Sequence, residues 1–529
     1  MQKHSLAALV LVSAVALTAC SKQDAAPYAV EEVSLAQVSA DLAAGKTTSV
    51  AVTKAYIERI KMYDGPLHAV IAIAPDALDQ AAASDKRRKD GKAMGPLDGV
   101  PILLKDNIEA MGMPNTAGSY ALADNVPAQD AGIIKRLRSS GGIILGKLNM
   151  NQFAGLRTSK GLLGSTIGGT PHNPYDLART PGGSSSGSGI AAAVSFAAAT
   201  LGSDTTGSII SPSSLNGIVG MRPTVALMSR HGIVPISLTQ DTSGPMARTV
   251  TDAAMLLTVV AGSDPGDPAS KDADANKTDY VKGLSVDALK GKRLGVLRGT
   301  GGYNDKTQPV FDAALEVLKS QGAELVELPN DILEDMSQED RIILTHEFKD
   351  DLNTFLAGTP ANVKVRTIDD LIAFNKVDPH EKTHDQDLVE AAAATNGRKD
   401  ADYIKAFEYA KRRAGPDGID RGLKDFNVSA LVVLTTGPAE VIVPEGAAGG
   451  HTISERPKGS RPPSPSMNAA IAGYPDLTVP AGMVEGMPVG LSFIGPPWSE
   501  QALLAYGYAY EQASKMRVPP TAYKSATAK

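Results

Sequence analysis

Between residues 182 and 201 the chain passes from Gly182-Gly183-Ser184-Ser185-Ser186-Gly187-Ser188 straight into a stretch of small apolar residues. A flexible linker does not normally lead directly into such a stretch. The pair reads as a loop that opens a tightly packed, buried helix over residues 191–201. Such a loop aims its backbone N–H groups at whatever lies above it. A helix this apolar needs a large core around it, so the rest of the chain must supply one.

It does so by alternation. Residues 49–62 carry apolar side chains at helical spacing, with Val52, Tyr56 and Ile60 on one face. Residues 69–74 form a short β run, 76–91 a polar helix, and 100–104 an apolar strand. Residues 131–140 read as a helix and 143–148 as a strand. This order predicts an α/β layered fold with helices on both sides of a sheet. Residues 295–297, 325–328 and 431–434 add strands. Residues 476–479 and 489–494 straddle Glu485-Gly486, which reads as a hairpin turn. Residues 303–428 are richer in charge and helix, and 437–465 form a Gly/Pro/Ser-rich loop. The region 303–465 therefore reads as a variable helical and loop elaboration on the sheet.

The first residues read as an export signal. Lys3 is the positive start, and residues 6–17 are an apolar run too short for a bilayer crossing of about 20 residues. The run ends in Leu17-Thr18-Ala19-Cys20, which resembles a bacterial lipobox, where the cysteine is lipidated and becomes the mature N-terminus. An ordinary secretory signal ending at Ala19 is the alternative. Cys20 is the only cysteine in 529 residues. Acylation accounts for a lone thiol at that place, and no intramolecular disulfide is possible. By resemblance to lipoprotein sorting, Ser21 points to the outer membrane. The expected organisation is a signal at 1–19, a tether at 20–30 and one catalytic domain over 31–523. A net charge of −6 with no basic block argues against nucleic acid as a partner.

Four candidate sites carry chemistry. Lys105 ends the apolar run 100–104; it is either a surface lysine at a strand end or a desolvated one, whose lowered pKa makes it a base. Ser208 lies in Asp204-Thr205-Thr206-Gly207-Ser208-Ile209-Ile210. It is either part of a turn between two apolar helices or a nucleophile. In the second case its N–H and those of Thr205, Thr206 and Gly207 form an oxyanion cradle. Gly183-Ser184-Ser185-Ser186-Gly187 also matches a nucleophile elbow centred on Ser185. That motif needs an apolar strand before it, and residues 174–181 do not read as one. His380-Glu381-Lys382-Thr383-His384 matches H-E-x-x-H, the pattern that puts two zinc ligands on one helix face. Pro379 just before it, and the polar flanks, read instead as a solvated helix start. No metal and no cofactor are expected.

Taken together, these motifs resemble the amidase signature family. The likeness runs through Asp98-Gly99-Val100-Pro101, Lys105-Asp106-Asn107, Leu145-Gly146-Lys147-Leu148-Asn149-Met150 and Arg179-Thr180-Pro181-Gly182-Gly183-Ser184. It continues in Gly207-Ser208-Ile209, Gln240-Asp241-Thr242-Ser243-Gly244-Pro245-Met246, Gly473-Tyr474-Pro475 and Pro488-Val489-Gly490-Leu491. The resemblance implies a single large domain with a mixed central sheet. It implies Ser208 as nucleophile, Ser184 on a cis peptide as proton relay, and Lys105 as base. The spacing of these three, and Arg230-His231-Gly232-Ile233-Val234-Pro235-Ile236-Ser237, look like the family's peptide amidases. Two positions depart from the common pattern. Thr206 stands where many members have Gly or Asp, and Ile210 stands where the family's aminoacyl-tRNA amidotransferases have Arg. The expected activity is hydrolysis of a carboxamide through an acyl-enzyme. The C-terminal amide of a peptide is the first substrate, and a small aryl or acyl amide the second. The partners expected are that substrate and a membrane reached through Cys20, with no obligate protein partner. A zinc protease at His380 and His384, or a non-catalytic binding lipoprotein, are the alternatives of other classes. The intact lysine-serine-serine set weighs against the latter.

Overall fold

The computed structural model describes residues 28–157, 163–442 and 462–526. The expected signal, Cys20 and most of the expected tether lie outside the described residues. Tyr28 and Val30, assigned to the tether, already belong to the domain. The Tyr28 hydroxyl donates to Asp41 at 2.9 Å, and Val30 is buried.

Eleven strands form one sheet. In chain order they are β1 (Val70–Ile73), β2 (Pro101–Lys105), β3 (Ile143–Leu148), β4 (Ala199–Asp204), β5 (Val219–Arg222) and β6 (Thr242–Ala247). Then follow β7 (Arg293–Leu297), β8 (Glu324–Glu327), β9 (Ala430–Leu434), β10 (Asp476–Val484) and β11 (Met487–Ile494). The spatial order is β1-β3-β2-β4-β6-β5-β10-β11-β9-β7-β8. The sheet is mixed: β2 runs parallel to β3 and β4, and β7 parallel to β8 and β9, while the remaining pairs are antiparallel. The helix Ser186–Ala193 packs on β2, β4 and β6, and the helix Val250–Val260 on β4, β5 and β6.

Local sequence explains these placements. Every residue of β2, β3 and β4 is buried. A parallel strand covered on both faces carries a continuous apolar run, not an alternating one, and Val100 to Leu104 is such a run. Between β10 and β11, Val484 pairs with Met487, and Glu485 and Gly486 both have positive φ (50° and 79°). Two left-handed residues make the hairpin turn whose twist matches the strands it joins.

The buried helix expected over 191–201 is two elements. The helix spans Ser186–Ala193 and is capped at Val194; Ser195 turns the chain with φ 60°, and β4 begins at Ala199. An unbroken run of buried small residues shows neither the helical nor the strand period, so the pattern could not mark the break. The division matters for the site. Lys105 and Asp204 are the last residues of the parallel strands β2 and β4, and in such sheets ligands meet the carboxyl ends of the strands.

Candidate active site

Lys105 is fully buried at the end of β2. Its Nζ lies 2.8 Å from Ser184 Oγ, 2.8 Å from Ser203 Oγ and 3.1 Å from the Ser203 carbonyl. Burial in this apolar setting lowers its pKa to about 7, against the opposing pull of Asp204 and Asp241. Removing an ammonium from water disfavours the charged form, and among the described residues no carboxylate touches the amine to restore it. The choice between a surface and a desolvated lysine therefore falls to the desolvated one.

Ser184 follows the cis peptide bond Gly183–Ser184 and is itself buried. Its carbonyl accepts from the Asn151 N–H at 3.0 Å, and the Ser185 N–H donates to the Ser208 carbonyl at 3.2 Å. The backbone thus ties the segment of Ser184 directly to that of Ser208. The next helix has to sit very close to its neighbours. A Cβ on Gly187 would lie 2.4 Å from the Ala69 carbonyl and 2.6 Å from that of Asn149, so only glycine fits there.

Ser185, the centre of the elbow pattern, is occupied otherwise. It is fully buried, its hydroxyl donates to the Ser203 carbonyl at 2.9 Å, and that oxygen accepts the Ser203 N–H at 3.3 Å. These bonds fasten the loop to β4 and leave Ser185 no room to act as a nucleophile.

Ser208 lies just beyond β4, in a half-buried turn. The turn is organised by Asp204, whose Oδ1 accepts the Gly207 N–H at 2.8 Å and Oδ2 the Ile209 N–H at 2.6 Å. Gly207 has φ 109°, a conformation that favours glycine. Asp204 is paired in turn with Arg222 at 2.6 Å, both fully buried, and Arg222 also donates to the carbonyls of Asp204 and Gln240. One expected cradle donor is therefore committed elsewhere, because the Gly207 N–H serves Asp204. The N–H groups of Thr205, Thr206 and Ser208 have no acceptor among the described residues. The Thr205 side chain is fixed by donating to Asp241 Oδ1 at 2.6 Å. Burial raises the Asp241 pKa to about 6, and its other oxygen accepts the N–H groups of Ile236 and Ser237. A narrow cleft beside Ser203 and Thr205 has an apolar wall of Ala154, Ile233, Val234, Ile236 and Leu238.

Sequence reasoning missed the roles of Ser203, Asn107, Asp204 and Arg222. Asp204 had a signal, an aspartate opening a turn that ends in Gly-Ser. Arg222 had none, since its strand was not anticipated. A second buried pair, Lys147 and Asp106 at 3.4 Å, braces the loop after Lys105 through Ile108 and Asn115.

His380 to His384 is not a zinc helix: a short 3-10 helix does start at Pro379 with His380, Lys382 and Thr383 exposed, as the solvated reading expected, but Glu381 is buried. Pro379–Thr383 is a single 3-10 turn. His380 stacks on Tyr120 and pairs with Asp378, while His384 meets Thr383. Glu381 is buried and accepts from Ser119, Tyr120, Gln152 and Thr166, with Arg157 at 3.3 Å. Its oxygens are used to join two loops. Among the described residues, neither histidine belongs to a group of three potential metal ligands.

The chain matches the family model described as Amidase over residues 51–504. It is 35% identical to a probable amidase of Arabidopsis thaliana over 515 residues, covering 93% of this chain and 92% of that protein. It is 34% identical to a putative amidase of Arthroderma benhamiae over 500 residues, covering 89% of this chain and 80% of the relative. Among solved structures, the native peptide amidase of Stenotrophomonas maltophilia superposes with a TM-score of 0.84 at 41% identity. That match covers 93% of this chain and 98% of the other.

Proposed function

Since the chain belongs to the amidase signature family and is an amidase, we propose that Ser208, Ser184 and Lys105 are its catalytic triad and that it hydrolyses the C-terminal amide of peptides. The observation that carries the triad is the buried Lys105 amine 2.8 Å from Ser184 Oγ, with its pKa lowered to about 7. An uncharged amine at neutral pH takes the Ser184 proton, and Ser184 takes that of Ser208 as it attacks the carboxamide carbon. The carbonyl oxygen becomes an anion among the N–H groups of Thr205, Thr206 and Ser208. Each such donor contributes about 3 kcal/mol to transition-state stabilisation. The proton returns along the same path to the departing ammonia, and water then cleaves the ester on Ser208 by the same relay.

The peptide-amide reading is supported by the likeness to the peptide amidase at 41% identity, closer than the 22% to a bacterial aryl acylamidase. The second substrate class is a small aryl or acyl amide. A panel of N-blocked peptide amides, simple acyl amides and anilides, scored by kcat/KM, separates the two. The peptide reading expects the blocked peptide amides to be turned over fastest and is lost if anilides exceed them. We further propose export and lipid anchoring through Cys20, supported by the apolar run that ends in Leu17-Thr18-Ala19-Cys20.

A further inference from the structure

The Lys105 amine has three neighbours, and two of them are hydroxyls equally near it, of which the relay uses only Ser184. When charged, Nζ carries three protons, and three acceptors surround it: Ser184 Oγ, Ser203 Oγ and the Ser203 carbonyl. When uncharged it keeps two protons and one lone pair. The relay works only if the lone pair faces Ser184. A lysine amine rotates freely about its last bond, so something has to hold the other two directions.

Ser203 occupies both of those directions. Its carbonyl can only accept, and so holds one N–H in either protonation state. Its hydroxyl, 2.8 Å away, holds the second while its oxygen faces the amine. Serine side chains rotate about χ1 among staggered positions, and this one is fixed from its far side: the Asn107 Nδ2 donates to Ser203 Oγ at 2.9 Å. Ser203 and Asn107 are both buried, and Asn107 Oδ1 has no hydrogen-bond partner among the described residues. The amide of Asn107 is therefore committed to Ser203 alone.

Resting on the assignment of Lys105 as base, we propose that Ser203 and Asn107 are positioning residues. Ser203 pins two of the three N–H directions of Lys105, and Asn107 pins Ser203. The direction left over points at Ser184. In each turnover the Ser184 O–H bond breaks as its proton joins the Nζ lone pair, and Ser184 Oγ receives the Ser208 proton. The same proton later returns through Ser184 to the leaving amine, and the two N–H groups on Ser203 never move.

The test is a double-mutant cycle of Ser203→Ala and Asn107→Leu, read by kcat, KM and the acid limb of the pH–rate profile on one blocked peptide amide. Ser203→Ala is expected to lower kcat about 100-fold, the scale of a misplaced catalytic group, with KM unchanged. It also removes an acceptor of the charged amine, so the acid limb moves to lower pH. Asn107→Leu lowers kcat in the native background and adds nothing in the Ser203→Ala background, because the two residues act as one unit. Ser203→Thr keeps the hydroxyl and recovers most of the activity. Circular dichroism confirms that each variant is folded. Additive losses with an unmoved acid limb would overturn the positioning role. Lys105→Ala run alongside separates the two levels. If it is inactive while the cycle is additive, the base stands and the positioning pair falls. If Lys105→Ala stays active, both fall.

Discussion

The pKa of Lys105 sets the pH at which the enzyme switches on. With the amine held near 7, about half of the molecules carry an uncharged lysine at pH 7, about a tenth at pH 6 and about a hundredth at pH 5. Only that fraction accepts the Ser184 proton, so kcat/KM falls tenfold per pH unit below neutrality. The substrate must have no group that titrates in this range; an N-blocked dipeptide amide meets that condition, and ammonia release reports turnover. Asp241 is the rival source of such a limb, since burial raises its own pKa to about 6. Asp241→Asn distinguishes them. If Lys105 sets the limb, the variant keeps it and shifts it to lower pH, because one carboxylate favouring the ammonium is gone. The same burial gives stability a sign. Between about 7 and the ordinary 10.5, the unfolded chain binds the Lys105 proton and the folded chain does not. Folded stability from this group is therefore fully present above 10.5 and is lost as pH falls toward 7, by about 1.4 kcal/mol per unit. Lys105→Met removes that slope. A rate that stays flat from pH 8 to pH 5, or a limb that vanishes in Asp241→Asn, refutes the assignment.

Other perturbations have equally definite outcomes. Asp204→Ala leaves Arg222 buried without its carboxylate partner and frees the turn at Gly207 and Ile209; a loss of about 3–5 kcal/mol in denaturant titrations is expected, with turnover collapsing as well. Glu381→Ala strands the buried Arg157 and lowers the melting temperature, whereas EDTA leaves turnover of the native enzyme unchanged; chelation that abolishes activity, with recovery on zinc, would reopen the metal reading. Cys20→Ser moves the protein from the membrane to the soluble fraction with catalysis intact, and retention after a salt wash would mean another anchor.

Much of the fold could be read from pattern where pattern exists. β2 and β3 announce themselves as apolar runs bounded by turns, and the β10–β11 hairpin by Glu485-Gly486 between two such runs. The three strands that were not anticipated, β4, β5 and β6, sit together in the middle of the sheet around the site. They lack a signal for physical reasons. β4 is buried throughout and shows no alternation, and β6 contains Gly244 and Pro245, residues depleted in strands. Gly244 is needed there, because a Cβ would lie 2.0 Å from the Met221 carbonyl. The site was legible to the same degree. Lys105, Ser184 and Ser208 stand out as motifs, yet their supports do not. Arg222 and Ser203 matter because the sheet carries them, on β5 and β4, to the site, and no spacing along the chain records that. His380 to His384 shows the reverse case, a motif with the right letters on a turn of the wrong geometry.

The central claim is that Ser208 is the residue that carries the acyl group. The direct measurement is to trap the enzyme with a fluorophosphonate or a slowly hydrolysed activated ester, digest it, and locate the adduct by peptide mass spectrometry. The account predicts one equivalent of label on Ser208, absent in Ser208→Ala and formed far more slowly in Lys105→Ala and Ser184→Ala. Stoichiometric label on Ser185, or undiminished labelling and turnover in Ser208→Ala, would contradict it.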